Sequence, residues 1–480
     1  MISPKTNKRP GFNMATLLMC TLLFSAGTIS NAQPSAEKVN IVLFYVDDLG
    51  WKDVGFMGST YYETPNIDKL AGEGMIFTDA YANAPNCAPS RASLMSGQYT
   101  PRHGVYTVAS SARGKSATRK IIPTPNKKTL DLHKKTIAER LQAAGYETIS
   151  IGKWHLGQPP VGGPQQHGFD ANIGGSKAGH PKSYFTPYKN EFLPDGPTGE
   201  HLTDRLASEA ISFIEKKRSR PFFLYLPWFA VHSPIRGKAD LIKKYAAKKT
   251  HGDQSNPTYA AMIESLDQNI GRILAALDSL KLAENTVVIF HSDNGGMRSV
   301  TSMAPLRGGK GMLYEGGIRV PLAVRWPGKI NAGSRSSEPV IGMDIYPTIL
   351  RLAGLEAAPG YQVDGKDLSP LLLNEKTSLS RNAIFWHFPA YLQGRAKGAR
   401  DPLFRTRPGA AVRMGDWKLI EYFEDGEREL YNLKDDISEK NNIAHTHPER
   451  ADKLHQAMVE WRKLTNAPVP TTPNPDFKQK

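Results

Sequence analysis

Through the first three-quarters of the chain, short apolar runs alternate with stretches of helical period. Val39–Val46 reads VNIVLFYV, and Thr148–Ile151, Phe222–Phe229 and Thr286–Phe290 have the same β-rich texture. Between them the period changes. Met262, Leu266, Ile270, Ile273, Leu274 and Leu277 fall on one face of a helix predicted over Tyr259–Leu280. Strands and helices in alternation predict an α/β fold, with a mixed, mostly parallel sheet flanked by helices. After about Leu355 the pattern shifts. A turn-rich stretch, Pro359–Pro370, leads to three short antiparallel strands, Ala410–Met414, Trp417–Glu421 and Glu429–Tyr431, and a closing helix over Pro448–Leu464. The division predicted is a larger domain over residues 33–355, a smaller α+β subdomain over 356–466 containing an antiparallel sheet, and a loose Pro-rich tail over 467–480.

The first 32 residues read as an export signal. Lys5, Lys8 and Arg9 precede an apolar run, Met14–Phe24, and Ser30-Asn31-Ala32 has the small residues a signal peptidase requires. That run is shorter than the ~20 residues of a membrane span, and no later segment is apolar enough for one. The expectation is an exported protein, periplasmic or secreted, with no membrane span.

Charge narrows the choice of partner. Lys and Arg number 61 against 46 Asp and Glu, a net charge of +15, which favours an acidic partner through long-range steering. The chain has no zinc-finger spacing, RNP-like motif or basic heptad, so nucleic acid is not expected. An anionic polysaccharide suits an exported protein better.

The chemistry gathers where the strands end. Val39–Val46 runs into Asp47-Asp48, Thr148–Ile151 into Gly152-Lys153-Trp154-His155, Phe222–Phe229 is followed by His232, and Thr286–Phe290 by Asp293-Asn294. Open α/β sheets bind ligands beyond the carboxyl ends of their strands. Asp47, Asp48, Asp293 and Asn294 offer only oxygen, which selects a hard cation, Ca²⁺ or Mg²⁺. Of the two cysteines, Cys20 lies in the leader, so Cys87 stands alone, and a leftover cysteine in an exported chain is either a buried inert thiol or a reactive group. It opens CAPSR, where Pro89 suits a first helical turn. Cys87 would then sit just before a helix N-terminus, an anion-binding position, with Arg91 one turn on.

CAPSR followed by ASLMSGQY, together with VDDLG, GKWHLG, AVHSP, SDNGG and GGKGMLYEGGIRVP in that order, resembles the formylglycine-dependent (type I) sulfatases of the alkaline phosphatase superfamily, and bacterial polysaccharide sulfatases among them. The resemblance implies that Cys87 is oxidised to Cα-formylglycine (3-oxoalanine) by a formylglycine-generating or anaerobic sulfatase-maturating enzyme, and that one Ca²⁺ is held by Asp47, Asp48, Asp293, Asn294 and residue 87. A hydroxyl of the hydrated aldehyde would attack the ester sulfur, with Arg91, Lys153 and Lys310 on the sulfate oxygens. His232, with Lys310, would protonate the leaving alcohol, and His155 would help release sulfate from the second hydroxyl. A polar residue near the sulfate is either Asn172 or Ser176.

The substrate expected is a sulfated carbohydrate, an algal oligosaccharide of the ulvan or carrageenan type. The alternatives are a phosphonate or phosphodiester hydrolase of the same superfamily, a glycosaminoglycan sulfatase, and a non-catalytic polysaccharide-binding protein. Loops 157–201, 297–308 and 385–407 should set specificity. His387 in FWHFPAY, Arg395 and Arg405 are the candidates for substrate contact, and Arg395, Arg400, Arg405 and Arg407 alike either meet further sulfates or uronates on a polymer or coat a solvated loop.

Overall fold

The first apolar run forms a strand, Asn40–Val46 (β1), at the centre of an eight-stranded sheet. The other strands are Met75–Phe77 (β2), Glu147–Ile151 (β3), Ala171–Ile173 (β4), Phe222–Pro227 (β5), Thr286–Ser292 (β6), Leu322–Arg325 (β7) and Ser334–Ser336 (β8). Their order across the sheet is β4-β3-β5-β1-β6-β7-β2-β8. The pairings from β4 through β6 are all parallel, whereas β7 runs antiparallel to both β6 and β2. The four apolar runs singled out in the sequence are therefore the adjacent strands β3, β5, β1 and β6, and their carboxyl ends share one edge. This computed structural model describes residues 38–394 and 396–478, so the expected signal segment and Arg395 lie outside the described residues.

Both faces of the sheet are covered, and strand alternation sorts the side chains between them. Val42, Phe44 and Val46 of β1 enter one core with Leu206 and Phe213 of the Leu202–Glu215 helix and Leu266, Ile270 and Ile273 of the Pro257–Ser279 helix. Ile41, Leu43 and Tyr45 enter the other core with Ala88, Ala92 and Leu94 of the Cys87–Ser96 helix. The long helix starts where Asn256 accepts hydrogen bonds from the amides of Thr258 and Tyr259, both at 3.1 Å, with Pro257 in its first turn.

The antiparallel sheet of the C-terminal part has four strands, Ile384–Phe388 (β9), Gly409–Met414 (β10), Trp417–Tyr422 (β11) and Arg428–Asn432 (β12), in chain order. The helix Pro448–Thr465 covers one face through Leu454 and Met458. The other face buries Trp386 and Ile420 against Tyr81, Tyr314 and Ile318, so residues 38 onward form one compact unit. The tail expected to be loose is docked. Ile122 N donates to Thr472 O (2.9 Å) and Asn474 N to Lys120 O (2.9 Å), while the Asn474 amide reaches the carbonyls of Ser116 and Arg119, both at 2.8 Å. One Asn that satisfies a turn's carbonyls outweighs the disorder tendency of a Pro-rich end.

Candidate active site

Backbone hydrogen bonds continue past the strand ends and fix the loops that carry the chemistry. Asp293 N donates to Val46 O (2.9 Å), Val231 N to Asp47 O (2.7 Å) and Lys153 N to Pro227 O (2.7 Å). Asp48 and His155 sit at φ of 60° and 62°, a left-handed conformation that costs energy for residues with a Cβ and collects at functional sites. Cys87 is the first residue of its helix rather than the one before it.

These segments bring three carboxylates and three cations together. Lys153 Nζ lies 2.6 Å from Asp47, Lys310 Nζ 2.7 Å from Asp48, and Arg91 holds Asp293 through Nε (3.0 Å) and Nη2 (2.7 Å). The Cys87 thiol lies 3.3 Å from Asp47 and 3.8 Å from Asp48. His232 Nε2 is 3.6 Å from Asp48, and the Asn294 amide donates to Asp48 at 2.8 Å. Above this layer opens a cleft of about 340 Å³, whose lining includes Cys87, His155, His232 and Lys310. Arg91 and Lys153 do not line it. Both side chains are fully buried beneath it, and Arg91 Nη1 is also spent on Lys153 O at 3.1 Å. A second cavity, lined by Ser176 and Tyr188, meets the cleft only at His180 and holds none of these groups.

The electrostatics follow from burial. Burial, reinforced by Asp47, pushes the Cys87 thiol well above its ordinary range. As a cysteine it is therefore protonated and a poor nucleophile. For Asp48, burial opposes ionisation, but Lys310 and His232 outweigh it and hold the carboxyl below the usual range. Asp293 goes the other way, to about 6, because burial and Asp47 prevail over Arg91. Burial also lowers His232 to about 3, partly offset by Asp48, and keeps His155 neutral, with Lys153 adding to the effect. Lys310 is held as an ammonium, because Asp48 outweighs the cost of its burial.

The arrangement fits a hard cation. Asn294 Oδ1 is buried and has no hydrogen-bond partner among the described residues, a costly state for a carbonyl oxygen, and it stands beside carboxylates that offer more oxygen. Ligand atoms of Asp47, Asp48, Cys87 and His232 all lie within 4.8 Å of one another. Asp293 joins through its Oδ1, which accepts from Asp48 N at 3.1 Å. His232 is thus also placed among the ligand candidates.

The remaining expectations divide. Arg405 lines the cleft. His387 does not, which corrects the expectation. It is buried, its Nε2 lies 2.9 Å from Pro468 O, and its ring packs against Tyr106 and Trp461. Arg400 is paired with Asp425 and Glu427, and Arg407 with Asp401 and Glu424. Asn172 closes a turn onto Gly175, and Ser176 lines the neighbouring cavity, so neither lines the cleft. Sequence reasoning missed Arg113 and His180, which do line it. Arg113 opens a stretch with Lys115, Arg119 and Lys120 that reads as a solvated basic face, and His180, stacked on His232 with ring centroids 6.2 Å apart, carries no local signal. Tyr184, also missed, fixes the His232 loop by donating to Phe229 O (2.6 Å) and His232 O (2.9 Å).

Comparison with known proteins meets this geometry. The family model described as "Sulfatase" matches residues 39–355, and "N-sulphoglucosamine sulphohydrolase, C-terminal" matches 309–464. A protein named "Sulfatase" from Formosa agariphila is 34% identical, covering 94% of this chain and 93% of that protein. The N-acetylgalactosamine-6-sulfatase of Rattus norvegicus is 35% identical over 75% of this chain and 70% of its own. Among solved structures, Ps i-CgsB in complex with k-i-k-neocarrahexaose superimposes with a TM-score of 0.74 at 30% identity, covering 92% of this chain and 94% of that one. With the match extending from β1 past β8 and thus taking in all four strand ends, this chain belongs to the sulfatase family and is a sulfuric ester hydrolase.

Proposed function

We propose that this sulfatase removes sulfate from a sulfated carbohydrate, namely oligosaccharides of an algal polysaccharide of the carrageenan or ulvan type, in the periplasm or outside the cell. The observation that carries the reading is the likeness, over nearly the whole chain, to a structure holding a neocarrahexaose. The net charge of +15 supports a polyanionic substrate. A glycosaminoglycan is the second reading, favoured by the kinship to N-acetylgalactosamine-6-sulfatase and by the C-terminal match.

Within the cleft the roles divide by what each side chain can do. Residue 87, as Cα-formylglycine, would take up water to form a gem-diol, one hydroxyl of which is the nucleophile. Asp47, Asp48, Asp293, Asn294 and residue 87 would hold a Ca²⁺, which would supply charge stabilisation at that position. Lys310 presents an ammonium to the sulfate oxygens. Arg91 and Lys153 act from below by neutralising Asp293 and Asp47, which keeps three carboxylates together without mutual repulsion. His232, which lines the cleft, has its Nδ1 fixed by Ser233 O at 2.7 Å, which leaves Nε2 on the Asp48 side, 3.6 Å from that carboxylate. The negative charge of a bound sulfate favours its imidazolium form, which can give the leaving oxygen a proton. His155, neutral and with a buried unpartnered Nδ1, is an acceptor for the proton that sulfate release requires.

Sulfate release measured by ion chromatography on carrageenan, ulvan and glycosaminoglycan oligosaccharides, under one set of conditions, tests the reading. Release from an algal oligosaccharide supports it. Cleavage confined to the glycosaminoglycans would favour the second reading, and cleavage of simple aryl or steroid sulfates alone would remove the carbohydrate assignment.

A further inference from the structure

Two arginines in the catalytic cleft have no carboxylate partner. Arg113 and Arg405 line it together with Cys87 and Lys310, and no ion pair forms to either among the described residues. Arg400 and Arg407, on the same segment as Arg405, are each held by two carboxylates. Arg405 Nε is buried with no acceptor, and Nη1 makes only a long contact of 3.4 Å to Lys310 O. Burial depresses the pKa of both arginines; the carboxylate that counteracts this at Arg405 is Asp48, already bound to Lys310. Two partly dehydrated guanidinium groups without a counter-charge are costly, and an anion between them would offset that cost.

The surrounding backbone makes room for this pair. Gly311 has φ +86°, and a Cβ there would stand 2.7 Å from Arg405 Cδ; a Cβ on Gly114 would stand 2.8 Å from the Phe404 ring. The segment bearing Arg113 thus packs directly against the strand bearing Arg405, although the two lie far apart in sequence. A third arginine, Arg298, lines an adjoining cavity that shares Lys310 and Arg405 with the cleft, and its buried Nε also lacks an acceptor.

We propose that Arg113 and Arg405 form a second anion site in the cleft, which binds a sulfate or carboxylate on the sugar adjoining the one that is desulfated. The planar guanidinium fork matches either anion in bidentate fashion. The site would make the enzyme selective for multiply charged oligosaccharides over singly sulfated ones. This inference rests on the carbohydrate reading given above.

The test is calorimetric binding to the Cys87→Ala protein of three disaccharides that share one sulfated sugar. The neighbouring sugar is uncharged in the first, sulfated in the second and a uronate in the third. The doubly charged ligands, or whichever of the two the site prefers, should bind about 10- to 100-fold tighter than the first. Arg405→Gln and Arg113→Gln should each remove most of that advantage, and Arg405→Lys should keep part of it. Should Arg405→Gln not fold, Arg405→Lys and Arg113→Gln decide the matter. Equal binding of all three ligands, or an advantage that survives in folded variants, would overturn the proposal. If no disaccharide binds while the wild type hydrolyses an aryl sulfate, the carbohydrate reading falls and this site with it.

Discussion

Two buried ionic clusters in this protein look alike in composition and differ in purpose. One joins Asp47, Asp48 and Asp293 to Arg91, Lys153 and Lys310 at the strand ends. The other joins Glu315 and Glu439 to Lys418, at 2.9 and 2.8 Å, where the C-terminal sheet meets the rest of the fold. In the second, every carboxylate oxygen has a partner: Glu315 also accepts from Tyr81 at 2.7 Å and Glu439 from the Glu315 amide at 2.6 Å. In the first, Asn294 Oδ1 and His155 Nδ1 are left without one, and an open cleft ends on it. Burial and charge alone therefore do not mark a site. Unmet hydrogen-bonding capacity in the layer next to a cleft does.

Substitutions should separate the two clusters. The largest effect is expected from Cys87→Ala, which should lower turnover of an aryl sulfate by about 10⁴-fold or more with its denaturation midpoint unchanged; substantial residual turnover would show that the nucleophile lies elsewhere. Chelation followed by dialysis should lower turnover at least about 100-fold, reflecting the several kcal/mol of charge stabilisation an ion supplies, and added Ca²⁺ should restore it. Lys418→Met should do the reverse. It leaves the buried Glu439 without its cation and Glu315 with Arg319 alone, and should cost about 3–5 kcal/mol in denaturant unfolding, while KM for the aryl sulfate in the folded enzyme stays the same.

The smallest effect concerns pH. Burial raises Glu439 to about 7, with Glu315 adding and Lys418 opposing; Glu315, whose burial is outweighed by Lys418 and Arg319, is lowered to about 2. A raised carboxyl binds more protons folded than unfolded, so its contribution is complete below the ordinary 4.5 and is lost as pH rises towards 7. Glu315 contributes above its ordinary value, and that contribution is lost as pH falls towards 2. Stability from this cluster should peak near the ordinary carboxylate range, and Glu439→Gln should flatten the decline towards 7 in denaturation midpoints taken across pH. A decline of unchanged slope would show that other groups cause it.

The strand-end chemistry was legible because each of four apolar runs ends in polar residues, and parallel strands send their carboxyl ends to one edge. What local pattern could not show was which partner each charge would find. Arg91 and Lys153 are buried and paired with Asp293 and Asp47, which lie far from them in sequence. His387 is buried by Tyr106, Trp461 and Pro468, which come from three separate segments. Among the arginines near the end of the 385–407 loop, only the positions of Asp401, Glu424, Asp425 and Glu427 distinguish Arg400 and Arg407 from Arg405. The docked tail has the same origin, since Asn474 meets carbonyls more than 300 residues away.

Turnover is expected to depend on residue 87, whose thiol lies 3.3 Å from Asp47 and is pushed towards its protonated form by burial. Peptide mass spectrometry of enzyme produced with a competent maturation system, on the same sample whose sulfate release is measured, tests it most directly. Activity is expected to rise in proportion to the fraction of chains in which the Cys87 thiol has been replaced by an aldehyde. Full activity in a sample whose residue 87 is entirely unmodified cysteine would contradict it.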